Sequence, residues 1–411
     1  MSLQNAFYAQ SGGVTAVINA SACGVIETAR LYPQQIGKVL AGKNGIVGAL
    51  KGELFDTSLE SHVDIRALCH TPAGAFGSCR YKLKSDKKDE FERLLAVFKA
   101  HNIGYFFYNG GGDSQDTTHK MAEYSRTQGY PLICLGIPKT IDNDLPFTDA
   151  CPGFGSVAKY VAVSILEASL DVASMAATST KVFILEVMGR HAGWIAAAGA
   201  LAQQTEGDAP HLILLPEIPF DEARFLAQVQ ATVAAKGYCS IVVSEGVRDA
   251  QGHFLSESNT KDAFGHAQLG GAAQAIATKI QTLGLKYHLA IADYLQRSAR
   301  HIASQVDVDQ AYALGKAAVE FALQGQNAVM PVIRRLQDSP YQWDIQVVPL
   351  SQVANVERKM PPEFIRPDGF GITEACRQYL QPLIQGEAYP PYENGIPQYV
   401  RLKNVLCKGA S

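Results

Sequence analysis

The chain has 411 residues, a length at which a single hydrophobic core usually stops growing and a protein divides into two domains. Hydrophobic residues make up 47% of the sequence, charged residues 18%, and the formal net charge is −3, which excludes a basic surface for nucleic acid. No stretch approaches the ~18 apolar residues of a membrane helix, and no charged and apolar leader is present. We therefore expect a cytoplasmic protein with neither nucleic acid nor membrane as a partner.

Short apolar runs alternate with segments rich in Ala, Leu, Gln and Glu, and this alternation predicts an α/β fold with mostly parallel sheets flanked by helices. The predicted strand and helix pairs are, in chain order, 6–9 and 16–29, 105–108 and 117–125, 132–137 and 157–173, 182–187 and 194–203, 212–215 and 222–235, and 241–243 and 271–283. Beyond Gly325 the pattern weakens, and the proline-rich stretch 360–397 is predicted to be a surface extension or loop.

Glycines and charged residues follow several of the predicted strands, where open α/β sheets bind their ligands. Residues 110–112 are three glycines before a helix that we expect Ser114 and Asp116 to open. Backbone N–H groups can approach an anion closely there, and the helix N-terminus adds positive potential, so the pattern favours a phosphate site. A tight turn required only by packing is the alternative.

Two carboxylates, Asp142 and Asp144, follow the predicted strand at 132–137. Phosphoryl transfer to an alcohol needs a base for the hydroxyl proton and an oxygen ligand for Mg²⁺, and two acids can divide these tasks. Arg190 follows the strand at 182–187 and can bind phosphate oxygens with its guanidinium group. Each feature alone also fits a turn cap or a solvated side chain, but packing does not explain three such strand ends in one chain.

These segments together resemble the 6-phosphofructokinases. The resemblance covers residues 5–320 approximately, and the segments that carry it are Ser11-Gly12-Gly13, Gly77-Ser78-Cys79-Arg80, Gly110-Gly111 with Asp113-Ser114, Pro138-Lys139-Thr140-Ile141-Asp142-Asn143-Asp144 and Glu186-Val187-Met188-Gly189-Arg190. It implies two Rossmann-like α/β domains with the active site in the cleft between them. The implied domains are 1–156 with about 293–345, for the phosphoryl donor and Mg²⁺, and 157–292 with part of 346–411, for the sugar phosphate.

The resemblance also implies a role for each matching residue. Asp142 would be the general base, assisted by Lys139, Thr140 and Arg190, and Mg²⁺ would bind Asp144 and Asp113. The donor would contact Gly12, Gly13, Arg80, Gly110, Gly111, Gly112, Asp113, Ser114 and Lys139. The sugar phosphate would contact Thr140, Asp142, Lys181, Met188, Gly189, Arg190, Glu245, Lys286, His288, Tyr294 and Arg297.

Within the implied sugar site, Arg297 would hold the 6-phosphate, and either Lys286 or His288 would assist it. Lys181 stands where ATP-dependent members place an arginine that reaches across a subunit interface. We therefore expect a homo-oligomer, with a dimer favoured.

Two positions indicate which phosphoryl donor the protein uses. By resemblance, ATP-dependent members have glycines where this chain has Asp113 and Lys139, and an Asp where it has Gly112. A negative Asp113 would repel the α-phosphate of ATP, whereas Lys139 would add a cation for a small, highly charged donor. Both changes look like pyrophosphate-dependent members, so we expect pyrophosphate and fructose 6-phosphate as substrates. An ATP-dependent kinase with an altered loop and a non-catalytic sugar-phosphate sensor are the alternatives.

Overall fold

The structure is a computed structural model, and it describes residues 3–83, 87–205, 207–255, 257–261 and 267–407, with backbone alone at 257–261 and 267–269. The strands of the described part are β1 Gln4–Ser11, β2 Ile36–Gly42, β3 Leu54–Asp56, β4 Ser78–Cys79, β5 Ile103–Gly110, β6 Ile133–Pro138, β7 Val182–Val187, β8 Leu212–Leu214, β9 Cys239–Ser244, β10 Glu257–Lys261, β11 Ala267–Leu269, β12 Tyr287–Ile291, β13 Val329–Asp338, β14 Tyr341–Pro349, β15 Tyr392–Glu393 and β16 Ile396–Pro397.

Helices cover the faces of the sheets. Their bounds are α1 Ile18–Leu31, α2 Ile46–Leu50, α3 His62–Ala67, α4 Lys88–Ala100, α5 Gly112–Thr127, α6 Phe154–Met175, α7 Trp194–Ala198, α8 Glu222–Lys236, α9 Ala272–Gln281, α10 Asp293–Ser298, α11 Gln305–Leu323, α12 Leu350–Val353 and α13 Glu374–Leu380. Among the described residues, no helix is long and apolar enough to cross a membrane.

The larger sheet has the strand order β14-β13-β6-β5-β1-β2-β3, and the short β4 pairs with the end of β1. Its central pairs β1–β2, β1–β5 and β5–β6 are parallel, so their carboxyl ends meet at one edge. The phenylalanines of β1 and β5 are fully buried, because helices cover both faces of these strands. This arrangement brings the segments after β1, β5 and β6 together.

The smaller sheet has the order β12-β7-β9-β8, and all its pairs are parallel. Helix α6 connects the two sheets: it begins at Phe154, shortly after β6, and packs against β7 and α7. The chain then returns to the larger sheet through α11, β13 and β14. The α/β fold with mostly parallel sheets flanked by helices is therefore confirmed.

The prediction for residues 360–397 was wrong in one respect. The segment contains α13, whose Cys376 and Leu380 are fully buried in a core cluster that also includes residues of α6 and α7, so it completes a core rather than lying on the surface. The prolines on either side obscured this seven-residue helix in the sequence. The long antiparallel pair β13–β14 was not predicted, because the outer half of β13, residues 334–338, is mostly polar and has neither an apolar run nor a regular alternation.

Candidate active site

The glycine run lies where strand β5 passes into helix α5. The helix begins at Gly112, five residues before the predicted range 117–125 and two before Ser114, and its N-cap is Gly111, which has no side chain to satisfy the first N–H groups. Gly110 needs to be glycine, since a Cβ there would lie 2.1 Å from the Ser114 hydroxyl oxygen.

Packing does not require glycine at the next two positions. A Cβ on Gly111 would have no neighbour closer than 3.7 Å, and one on Gly112 would have none within 4 Å. Neither residue has a positive φ, so conformation does not require glycine either. The space beside these N–H groups is open to a ligand, which favours the phosphate-site interpretation over a packed turn.

Three cationic side chains converge on the loop after β1. Lys139 donates from Nζ to the Gly13 carbonyl oxygen at 2.7 Å. A Cβ on Gly13 would lie 2.4 Å from Nη1 of Arg297 and 3.7 Å from Nη2 of Arg80. Burial, together with Arg297 and Arg80, lowers the pKa of Lys139 to about 8. The like charges destabilise one another, so the cluster is suited to a compact polyanion.

The acidic loop after β6 presents two carboxylates with raised pKa values. Burial and the nearby Glu245 carboxylate raise the pKa of Asp142 to about 6, although Lys139 and Arg190 oppose the shift. Burial and the neighbouring Asp142 raise the pKa of Asp144 to about 7. Thr140 braces the turn by accepting the Asp142 N–H at 3.1 Å. A carboxylate with a pKa near neutrality is the usual form of a general base.

The segment after β7 packs on the segment after β9. Gly189 has a φ of 129°, and its N–H points at Oε1 of Glu245 at 3.4 Å. The N–H of Met188 donates to Oε1 of Gln296 at 3.2 Å. Burial raises the pKa of Glu245, whereas Arg190 opposes this shift. The structure thus brings Met188, Gly189 and Glu245 together, with α10 beside them.

Arg297 lies in an unexpected place. Its guanidinium carbon is 3.8 Å from the centre of the Tyr294 ring, on the same short helix, and the group extends to Gly13. It therefore lies with Lys139 and Arg80 beside Gly13, whereas the resemblance places it at the sugar 6-phosphate. Its role at the 6-phosphate stays a prediction.

Three other candidates lie far from this cluster. Lys181 and Lys286 precede β7 and β12, and His288 lies within β12, opposite Phe183. A six-residue strand spans about 17 Å, so these residues are near the opposite edge of the small sheet from Arg190. Lys286 is hydrogen-bonded from Nζ to the Ser179 hydroxyl at 3.0 Å, and Lys181 to the Ala176 carbonyl. A role in catalysis would require a second subunit.

Asp113 has a partner that the sequence analysis missed. Lys82 forms an ion pair with its carboxylate, with Nζ and Oδ1 separated by 2.5 Å, and also lies 3.5 Å from Oδ1 of Asn355. The charge of Asp113 is thus partly compensated, which weakens the predicted repulsion of ATP. Lys82 follows Arg80 by two residues, so its proximity to that motif was the available signal.

The residues present fit a magnesium ion only in part. Among the described residues there is no group of three or more His, Cys, Asp or Glu side chains that could hold a metal. Asp144 lies beside Asp142, and burial together with the Asp142 carboxylate raises the pKa of Asp144, a shift that a bound cation would oppose. Magnesium is often held by one or two carboxylates and substrate phosphates, so Asp144 fits, whereas Asp113 is already paired with Lys82.

Comparisons with known proteins agree with this geometry. The family model described as "Phosphofructokinase" matches residues 5–322. Pyrophosphate–fructose 6-phosphate 1-phosphotransferase of Methylococcus capsulatus is 65% identical over 98% of this chain and 97% of its own length. The enzyme of the same name from Halomonas elongata is 64% identical over 98% and 97%. The crystal structure of pyrophosphate-dependent phosphofructokinase from Marinobacter aquaeolei matches with a TM-score of 0.91 and 62% identity, over 99% of this chain and 98% of that one.

Fold, site and similarity together define a phosphotransferase of the two-domain α/β class. The chain belongs to the phosphofructokinase family. The resemblance inferred from the strand-end segments is therefore confirmed, and the similarity to pyrophosphate-dependent members extends over nearly the whole chain.

Proposed function

We propose that the protein transfers a phosphoryl group reversibly from pyrophosphate to the 1-hydroxyl of fructose 6-phosphate, giving fructose 1,6-bisphosphate and phosphate. The observation that carries the proposal is the open space at Gly111 and Gly112, beside the N-terminus of α5 and close to Lys139. Backbone N–H groups and the buried cation of Lys139 suit a small polyanion. The relatives of highest identity carry the name of this activity.

In the proposed reaction, the oxygen of the sugar 1-hydroxyl attacks the nearer phosphorus of pyrophosphate, and Asp142 accepts the proton of this hydroxyl. The bond from that phosphorus to the bridging oxygen breaks, and orthophosphate leaves. Lys139 and Arg190 both interact electrostatically with Asp142. In the proposed reaction both also stabilise charge on the transferred group, which is the main requirement of phosphoryl transfer.

Mg²⁺ is the proposed metal, and when bound it would neutralise charge on the phosphate oxygens. Asp144 would hold it, with Asp113 contributing only if its ion pair with Lys82 opens. Thr140 orients the acidic loop through its hydroxyl, and Ser114, in the first turn of α5, lies beside the proposed donor site.

The sugar phosphate would lie between Asp142 and the segment Met188–Arg190, with Glu245 and Tyr294 at its other sides. The proposed division into a donor domain, 1–156 with about 293–345, and a sugar domain, 157–292 with part of 346–411, is supported by the separation of the two sheets. Lys181, with Lys286 or His288, would contact the 6-phosphate of a sugar bound by a second subunit. We therefore propose a homodimer.

Donor preference of the purified protein tests the proposal. With Mg²⁺ and fructose 6-phosphate, we expect turnover with pyrophosphate and a kcat/KM for ATP lower by at least ~10², and we expect the reverse reaction from fructose 1,6-bisphosphate and phosphate. Preference for ATP would support an ATP-dependent kinase, and tight binding of fructose 6-phosphate without turnover with either donor would support a sensor.

A further inference from the structure

The segment Asn355–Arg358 lies more than 200 positions beyond the acidic loop, yet it contacts the segments that follow β5, β6 and β7. Asn355 donates from Nδ2 to Oδ1 of Asp116 in α5 at 3.1 Å. Glu357 lies 3.1 Å from Nδ1 of His191, directly after the Met188–Arg190 segment. Arg358 binds the acidic loop itself. The C-terminal region thus connects three of the segments that form the candidate active site.

Arg358 makes the most extensive of these contacts. Its Nε and Nη2 donate to the Asn143 carbonyl oxygen at 3.1 and 2.8 Å. Its Nη1 donates to the carbonyl oxygens of Thr148 and Asp149 at 2.6 and 3.0 Å. Its backbone N–H donates to the Asp144 carbonyl oxygen at 2.6 Å. One residue therefore binds four carbonyl groups of the loop.

The neighbours of Arg358 hold its side chain in this position. Its guanidinium carbon lies 5.0 Å from the centre of the buried Trp194 ring. Tyr379 of α13 accepts from Nδ2 of Asn143 at 2.9 Å and donates to the Asp149 carbonyl. The loop is thus bound both by Arg358 and by Tyr379, and each belongs to the C-terminal region.

The bonded positions determine where the two acids point. Asn143 stands between Asp142 and Asp144, is fully buried and has a φ of 54°, a conformation that L-residues rarely adopt without support. Its side-chain oxygen also accepts the N–H of Cys151 at 3.0 Å. A shift of the Asn143 or Asp144 peptide group would redirect both neighbouring carboxylates.

We propose that Arg358 is a positioning residue, which fixes the directions of Asp142 and Asp144 by binding the Asn143 carbonyl between them and the carbonyls of Asp144, Thr148 and Asp149 that follow. The expected effect of Arg358 on kcat rests on the proposed function, whereas its expected effect on the order of the acidic loop does not. Lysine cannot replace this arginine, because a single ammonium group does not span the carbonyls of Asn143, Thr148 and Asp149.

The first test compares Arg358→Ala with Arg377→Ala. Arg377 belongs to α13 and bonds the backbone and side chain of Gln203, away from the acidic loop. We expect Arg358→Ala to lower kcat on the order of 10²-fold, as misplaced catalytic groups do, with KM for both substrates within about threefold. Millimolar methylguanidinium should restore part of this kcat, whereas Arg358→Lys should stay impaired. Arg377→Ala should keep kcat within about twofold of the wild type.

Hydrogen exchange gives a second readout that needs no activity. Exchange of the amides in 142–151 should accelerate about tenfold in Arg358→Ala and stay unchanged in Arg377→Ala. Should Arg358→Ala fail to fold, Tyr379→Phe removes one hydroxyl and should produce the same acceleration to a smaller extent. Unchanged exchange in 142–151, or equal kcat in the two alanine variants, would overturn the inference. Failure of the wild type to use pyrophosphate would instead overturn the proposed function.

Discussion

The cations around the loop Gly12–Gly13 lie beside the acidic loop at Asp142–Asp144, and burial shifts the pKa values of the two groups in opposite directions. Lys139 and Asp142 are three residues apart in one segment. Burial lowers the pKa of Lys139 to about 8 and raises that of Asp142 to about 6. In each case the charged form is destabilised because water is excluded.

The difference indicates which ligand each side of the site would favour. On the cationic side, repulsion among Lys139, Arg297 and Arg80 is relieved when a polyanion binds. On the acidic side, repulsion between Asp142 and Asp144 is relieved when a cation binds or when Asp142 takes up a proton. Binding and proton transfer thus each relieve a strain already present in the free protein.

The largest expected effect is on the acidic side. Asp142→Asn keeps the shape of the side chain but loses the proton acceptor, so kcat should fall by about 10² to 10⁴, with both KM values little changed. In the wild type, kcat/KM should decline as the pH falls below about 6, since protonated Asp142 cannot accept a proton. Steady-state kinetics between pH 5 and 9 measure both effects. A variant with near-normal kcat would identify another residue as the base.

The matching change on the cationic side is Lys139→Met. Because Lys139 is proposed both to bind the polyanion and to stabilise charge on the transferred group, KM for pyrophosphate should rise by about 10-fold to 10²-fold and kcat should fall as well. In the wild type, this KM should rise as the pH increases through about 8, where Lys139 loses its proton.

Lys279→Met is a suitable control for Lys139→Met, since Lys279 lies on α9 and pairs with Glu222 at the surface. Its KM for pyrophosphate should equal that of the wild type. A pyrophosphate KM that Lys139→Met does not alter would show that the cation is not part of the donor site.

A smaller effect is expected at Asp113, because Lys82 already compensates its charge. Asp113→Gly should raise kcat/KM for ATP only a few-fold. A double-mutant cycle with Lys82→Met, measured on this kcat/KM, should give a coupling energy below about 1 kcal/mol, as is typical of partly exposed ion pairs. A large gain in ATP use by Asp113→Gly alone would instead support the stronger repulsion between Asp113 and ATP that the sequence predicts.

The smallest expected effect concerns stability without substrates or metal. The folded-state pKa of Asp142 is raised, so the folded protein binds more protons than the unfolded chain between about pH 4 and 6, and stability falls as the pH rises through this window. Asp142→Asn should therefore raise the free energy of unfolding at pH 8 on the order of 1 kcal/mol, and much less at pH 4. Thermal unfolding at the two pH values measures this, and equal shifts at both would exclude carboxylate repulsion as the cause.

The sequence was sufficient for those parts of the molecule that depend on local patterns. Buried strands such as β7 and the glycine loop after β5 could be predicted, because apolar runs and glycines are visible within a short window. Contacts between distant segments could not be predicted. Arg358 lies 215 positions from Asn143, and no sequence pattern at either residue predicts their contact. The ion pair of Lys82 with Asp113 and the approach of Arg297 to Gly13 depend likewise on tertiary packing.

The left-handed turn at Asn143 has a consequence for chimaeras between family members. Its support comes from Arg358 and Tyr379, which belong to a region that the family model, ending at residue 322, does not include. An acidic loop grafted into a relative without matching C-terminal residues would carry Asp142 and Asp144, the proposed catalytic and metal-binding residues, but not the residues that orient them. Exchange of the loop together with 358–379 would transfer the turn along with Arg358 and Tyr379, which support it.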